Sequence, residues 1–175
     1  MNQELAQLRN EVNQFMRLHP QSPLSAEAKS EFEGLDYYDE NKSLIVIPEL
    51  EGFPEDEPHI EMETSTGEIN HYRRWAKAIF EVDGEEASLV IYSDPWGESL
   101  FLPFKDATNG SETYGAGRYL DSDRPGITLT PDKKIQLDFN YCYNPYCAYS
   151  PAFSCPLPPS ENWLSVAIKA GEKLF

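Results

Sequence analysis

Residues 74–92 read RWAKAIFEVDGEEASLVIY and contain the pattern that decides the fold. Two runs rich in β-branched, aromatic and small apolar residues, 74–82 and 87–92, lie on either side of Asp83-Gly84. Asp-Gly favours the positive φ angles that a tight β-hairpin turn requires. The stretch therefore predicts a β-hairpin, the clearest local structure in the chain.

Further short runs typical of strands lie on both sides of this hairpin, each bounded by Gly, Pro, Asn or Asp. They cover residues 44–47, 60–64, 69–72, 100–104, 118–120, 127–129 and 134–140, and residues 65–68 read as the turn of a second hairpin. No helical pattern separates these strands. The sequence therefore predicts a mainly β fold, an antiparallel sandwich or small barrel of about seven to nine strands.

Two helices are expected before the strands. Apolar residues recur at helical spacing in the first of them, and Pro20 predicts that it stops at His19. This stripe consists of Leu5, Leu8, Val12, Phe15 and Met16. For the second helix, Ser22 is the expected N-cap, Pro23 the first helical residue and Gly34 the end, with Leu24, Ala28 and Phe32 as its buried edge.

A third, short helix is expected at the end of the chain. Leu164, Ala167, Ile168 and Leu174 lie at helical spacing there. With a length of 175 residues the chain fits one globular domain. We expect a helical segment at 1–34 packed on a β core at 35–160, and a terminal helix at 161–175.

Charge and composition exclude several classes of function. Thirty acidic residues oppose 14 basic ones, for a formal charge of −16, and this field repels phosphate backbones and anionic lipids. We therefore expect no nucleic-acid partner and no membrane. The charge itself serves either solubility or attraction of a cationic partner.

The cellular compartment is predicted from the cysteines and from the start of the chain. Only three cysteines occur, all between positions 142 and 155, unlike a secreted disulfide scaffold. The first twenty residues contain Glu4 and Glu11 and no apolar run typical of a signal peptide. We expect a cytoplasmic protein with reduced thiols and without a metal or other cofactor; the oligomeric state stays undetermined.

Polar, aromatic and cysteine residues concentrate between Phe104 and Asn162. Arg118 has two interpretations: a buried partner of Asp106, Asp121 or Asp138, or a clamp for the carboxylate or phosphate of a ligand. In residues 138–149, DFNYCYNPYCAY, the side chains of Asn140 and Asn144 either hold turns or, with Asp138, face a ligand.

The cysteines Cys142, Cys147 and Cys155 leave four alternatives open. They are buried thiols, a zinc site, a Cys147–Cys155 disulfide, or a Cys147 nucleophile that needs a base such as His71. No CxxC spacing supports the zinc site.

The sequence also resembles domain-of-unknown-function family 1684 over nearly its whole length. The segments that carry the resemblance are 19–24 HPQSPL, 32–35 FEGL, 64–67 TSTG, 102–108 LPFKDAT, 113–121 TYGAGRYLD, 138–140 DFN, 144–147 NPYC, 155–159 CPLPP with Glu161-Asn162, and 170–172 AGE. Cys142 and Trp163 depart from the family pattern, so Cys142 is the cysteine with the least expected importance. The resemblance implies one domain, but no reaction and no catalytic residue.

The leading functional hypothesis is a small-molecule-binding β domain. Its expected pocket draws on polar groups in segments shaped by Gly and Pro, namely Tyr114, Arg118, Asp138, Asn140, Asn144, Cys147 and Asn162. One alternative is a hydrolase-like enzyme that uses Cys147 or Asp138. Another is an interaction or assembly protein that docks through the N-terminal helix or the proline-rich segment 154–159.

Overall fold

The computed structural model describes residues 2–54 and 56–175. Within them α1 spans Gln3–Leu18 and α2 spans Ala26–Glu31. The strands are β1 Ile45–Val46, β2 Glu49–Gly52, β3 Ile60–Glu63, β4 Ile69–Val82, β5 Glu85–Ser93, β6 Leu100–Phe104, β7 Arg118–Asp121, β8 Ile127–Leu129 and β9 Ile135–Asp138. Short 3₁₀ turns occupy Lys42–Leu44, Phe139–Tyr141, Tyr146–Ala148 and Ser160–Asn162.

The strands form two antiparallel sheets that do not close into a barrel. The larger sheet has the order β2-β4-β5-β6-β7, and β3 also pairs with β4, next to the start of that long strand. The smaller sheet has the order β1-β9-β8. The mainly β, antiparallel prediction is confirmed.

The predicted hairpin is the β4–β5 pair, and its register follows from the turn. Asp83 and Gly84 have φ angles of 52° and 84°, and Val82 pairs with Glu85 across them. Strand β5 is buried on both faces: Leu89 and Ile91 join the main core, and Val90 and Tyr92 join a smaller cluster with Met62. The hairpin therefore carries apolar contacts on both sides of the large sheet.

The first N-terminal helix agrees with the sequence, whereas the second is shorter than predicted at both ends and stops at Glu31 rather than at Gly34, because the backbone of Phe32 is already extended. Helix α1 ends at Leu18 with His19 as its C-cap, as predicted. Helix α2 begins three residues later than expected, because Ser25 rather than Ser22 caps it and accepts a 3.1 Å hydrogen bond from the backbone of Ala28. Ser22 instead donates a hydrogen bond to the carbonyl of Met16, and so holds the connection between the helices.

The prediction of a helix at the end of the chain was wrong. After the turn Ser160–Asn162 the chain runs without helical hydrogen bonds, and Ile168 and Ala170 are fully buried in the main core. Its backbone bonds to distant segments instead: the amide of Glu172 donates to Cys142, and the carbonyl of Gly171 accepts from Tyr38. Because these long-range bonds satisfy the polar backbone, the apolar spacing did not produce a helix.

No helix in the described part of the chain is both long and apolar enough to cross a lipid bilayer.

Gly171 tests how tightly the C-terminal segment is held. Its φ of +74° disfavours side chains, and a Cβ there would overlap the carbonyl oxygen and sulfur of Cys142. Gly67 has a similar φ of +82° but open space around it. We predict that Gly67→Ala lowers the free energy of unfolding by about 1 kcal/mol, the cost of left-handed backbone alone.

Gly171→Ala carries the same backbone cost plus the overlap, and we expect a loss of roughly 3 kcal/mol or more. Urea denaturation of both variants measures the difference. Equal losses would show that the C-terminal segment moves away from Cys142 at little cost.

Candidate functional site

The residues predicted to share one pocket lie in separate places. Arg118 lies in the main core, Asp138 with Asn140 caps a turn beside Asn41, and Asn162 joins two strands. Tyr114 contacts Cys147, and Asn144 lies against Glu172. Only the last of these five places opens onto a sizeable cavity.

Arg118 is a fully buried partner of Asp106. Its Nη2 donates to Asp106 Oδ2 at 2.9 Å, and both side chains have no solvent exposure. The two terminal nitrogens also bond to the C-terminal segment: Nη2 donates to the carbonyl of Ile168 at 2.7 Å, and Nη1 donates to those of Ala170 and Glu172 at 2.5 and 3.0 Å. The structural interpretation of Arg118 is therefore confirmed in its Asp106 version, and its charged end has no room for a ligand.

Three more of the predicted residues hold the backbone in place. Asn140 donates to the carbonyl of Asn41 and accepts from its amide, while Asp138 accepts from the amide and side chain of Asn140. Asn162 inserts between β5 and β6, where it accepts from Val90 and donates to the carbonyls of Val90 and Pro103. These side chains thus replace backbone pairing at the places where strands diverge or end.

Tyr114, Cys147 and Cys155 form a small cluster. The hydroxyl of Tyr114 donates to Cys147 Sγ at 3.6 Å, and the amide of Cys147 donates to Cys155 Sγ at 3.3 Å. Burial raises the pKa of Tyr114 to about 12 and that of Cys155 to about 11. All three cysteines are free thiols, and among the described residues no group of three or more His, Cys, Asp or Glu could hold a metal ion.

A cavity of about 310 Å³ lies between α1 and the tyrosine-rich segment 143–149, and we name it the α1 cavity. Its apolar wall is one face of α1 together with Leu35, and its opposite wall is mostly aromatic. The residues that line it are Leu8, Glu11, Val12, Phe15, Met16, Leu35, Arg124, Tyr143, Asn144, Tyr146, Tyr149 and Glu172. The α1 residues of this wall have the spacing of a single helical face, and four of them, Leu8, Val12, Phe15 and Met16, belong to the stripe predicted from the sequence, whereas its fifth residue, Leu5, packs in the main core.

The inner end of the α1 cavity is polar. Glu172 is only 4% exposed and accepts hydrogen bonds from the amide of Asn144 at 2.7 Å and the hydroxyl of Tyr149 at 2.8 Å. Burial raises the pKa of Glu172. Asn144 is itself buried and donates to the carbonyl of Lys173. Oε2 of the buried carboxyl is therefore occupied by two protein donors, and it fixes the tyrosine segment to the C-terminal segment.

Arg124 is the cation of the α1 cavity. Its guanidinium lies 3.8 Å from the centre of the Tyr143 ring, and the Tyr143 hydroxyl donates in turn to Asp121. Within residues 2–54 and 56–175, Arg124 forms no salt bridge with an acidic side chain. A guanidinium can contact an aromatic ring and still form two parallel hydrogen bonds with a planar anion.

Of the seven residues predicted from the sequence for the site, only Asn144 lines the α1 cavity. Glu172 belongs to the segment 170–172 that carried the family resemblance, yet it was not assigned to the site. Arg124 lies in the acidic stretch 121–126, DSDRPG, in a chain with few cations. An isolated arginine among acidic residues was the available signal, but sequence cannot show that Asp121 pairs with Tyr143 instead.

The fold and the site together define a mainly β protein with an amphipathic helix that covers a ligand-sized cavity. Residues 30–173 match the family model described as protein of unknown function, DUF1684, and the chain belongs to this family. The matched residues include Arg124, Tyr143 and Glu172, whereas α1 precedes them.

One solved structure is similar over nearly the whole chain, including α1. It is the solution NMR structure of an uncharacterized protein of Haloarcula marismortui, 37% identical, with a TM-score of 0.70. The alignment covers 97% of this chain and 91% of that one. A comparison with curated proteins finds no match.

The buried Arg118–Asp106 pair makes a prediction about stability. Arg118→Met would leave the Asp106 carboxylate buried without its cation and would remove one donor from each of the buried carbonyls of Ile168, Ala170 and Glu172. We expect a loss of about 3–5 kcal/mol in the free energy of unfolding.

Arg74→Met is the matched control, since Arg74 pairs with Glu57 and Glu161 but is 27% exposed. There we expect a loss of about 1 kcal/mol or less. Urea denaturation of both variants checks the contrast. Similar losses of unfolding free energy would contradict the view that the buried Arg118–Asp106 pair stabilises the protein more than the partly exposed pairs of Arg74.

Proposed function

We propose that this protein is a small-molecule-binding domain and that its ligand occupies the α1 cavity. The observation that carries the proposal is the shape and chemistry of this cavity. Ligand sites are typically concave, mostly apolar, with a few fixed polar groups, and have volumes of about 300–1,000 Å³. At about 310 Å³ the α1 cavity lies at the small end of this range, which favours a small ligand.

The polar groups of the cavity are held rigidly, which supports binding. Tyr149 and Asn144 are fixed by Glu172, and Tyr143 is held by Asp121 and covered by Arg124. A site that is ordered before binding loses less conformational entropy when its ligand arrives. Arg118 contributes indirectly, because it holds the carbonyl of Glu172.

The two alternatives have less support. An enzyme that uses Cys147 needs a base within hydrogen-bond reach. Among the described residues the side-chain partner of Cys147 is Tyr114, and Asp138 is engaged by Asn140. Docking through the apolar stripe of α1 is less favoured, because Leu5 and Met16 are buried within the chain. Both alternatives and the cytoplasmic location stay predictions.

A titration with indole tests whether the α1 cavity binds ligands. Indole is a small, uncharged, mostly apolar probe, and we expect millimolar affinity, about −4 kcal/mol. Two-dimensional amide NMR spectra should show shifts concentrated in residues 8–16 and 143–149. The absence of shifts there at saturating indole would contradict the proposal.

A matched pair of variants shows whether indole enters the cavity. Val12→Trp places a large ring in the cavity and should abolish the shifts while α1 remains folded. Leu18→Trp makes the same type of change on α1 at a residue that is 74% exposed and outside the cavity. It should leave the indole affinity within about twofold of the unmodified protein.

A further inference from the structure

The chemical class of the ligand can be argued from the charges of the α1 cavity. Three ionisable side chains carry these charges: Glu11, Arg124 and Glu172. Each has a different environment. These side chains differ in how much hydrogen-bonding capacity each has left for a ligand.

The two acidic side chains are poorly placed to bind a cation. Glu172 is 4% exposed and its Oε2 already accepts from Asn144 and Tyr149. Glu11 is an exposed residue of α1, and its Oε1 accepts from Gln7 at 2.9 Å. An ammonium group would therefore meet one buried carboxyl whose Oε2 is already occupied and one solvated carboxylate.

Arg124, in contrast to the two acidic side chains, is well placed to bind an ion of opposite charge. A guanidinium carries five N–H donors in a planar fork and needs acceptors for them. Within the described ranges no carboxylate forms a salt bridge with Arg124, although the chain contains 30 acidic residues. The guanidinium carbon lies 3.8 Å from the centre of the Tyr143 ring, and Arg124 is part of the cavity lining, so its N–H donors are the ones that an anionic ligand in the cavity would meet.

Resting on the proposed function, we infer that the ligand is a small carboxylate with an apolar body and that Arg124 binds its carboxylate. The apolar body lies against Leu8, Val12 and Phe15 of α1. A carboxylate matches the guanidinium fork in two parallel hydrogen bonds, which a neutral group cannot do equally well. The overall charge of −16 repels anions, so recognition depends on this local cation.

Three probes with the same apolar body test the inference on the unmodified protein. They are 3-phenylpropanoate, its neutral amide 3-phenylpropanamide, and the cation 3-phenylpropylamine. Titrations followed by amide NMR shifts should give about tenfold or more tighter binding of the carboxylate than of the amide, with the amine weakest. Equal affinities of carboxylate and amide, or tighter binding of the amine, would overturn the inference.

Variants assign the preference to Arg124. Arg124→Gln should remove most of the difference between carboxylate and amide, and Arg124→Lys should keep part of it because the charge remains. Lys134→Gln removes a cation that is paired with Asp132 outside the cavity and should keep the full preference. An unchanged preference in Arg124→Gln would contradict the role of Arg124.

The indole titration separates the two proposals. Binding of indole in the α1 cavity without a preference for 3-phenylpropanoate would overturn the carboxylate inference and leave the binding function supported. Failure of indole and all three phenyl probes to shift residues of the cavity would contradict both.

Discussion

The structure depends on one buried cation. Arg118 has no solvent exposure, and its guanidinium donates to Asp106 and to three carbonyls of the C-terminal segment. A buried charge is tolerated only when it is paired and hydrogen-bonded. The side chain of Arg118 on strand β7 therefore requires these acceptors, and this requirement fixes the path of residues 168–172.

The position of the α1 cavity depends on the path of residues 168–172. The backbone carbonyl of Glu172 accepts a hydrogen bond from Arg118. This bond places the side-chain carboxyl of Glu172 where Asn144 and Tyr149 can donate to it. These contacts hold the tyrosine-rich segment 143–149 as one wall, and α1 supplies the other. A polar core and an apolar cavity are thus joined by one residue, Glu172, whose backbone serves the first and whose side chain serves the second.

Local patterns in the sequence predicted the local structure well. The β4–β5 hairpin and α1 follow from the Asp-Gly turn and from apolar spacing, since both are decided within a few residues of the chain. The second helix was predicted with both ends misplaced. Ser22 and Ser25 are both suitable caps, and Ser22 instead bonds to Met16. At the other end the chain becomes extended at Phe32, before the expected Gly34.

Long-range partners explain the remaining differences. The apolar spacing in 164–174 suggested a helix, but acceptance of hydrogen bonds from Arg118 and pairing with Cys142 and Tyr38 favour an extended path. The sequence also offered three carboxylates for Arg118 and could not choose Asp106. Of the seven residues predicted for the site, Asn144 lines the α1 cavity, whereas Arg124 became a candidate only once its surroundings were known.

Two arginines have separate roles in this proposal: Arg118 holds the core, and Arg124 binds the ligand. A crystal structure of the protein grown with saturating 3-phenylpropanoate tests this most directly. We expect the carboxylate within hydrogen-bond distance of Arg124 and the phenyl ring against α1, with Arg118 still bound to Asp106. A ligand bound at Arg118, or an Arg124 turned away and paired with a protein carboxylate, would contradict it.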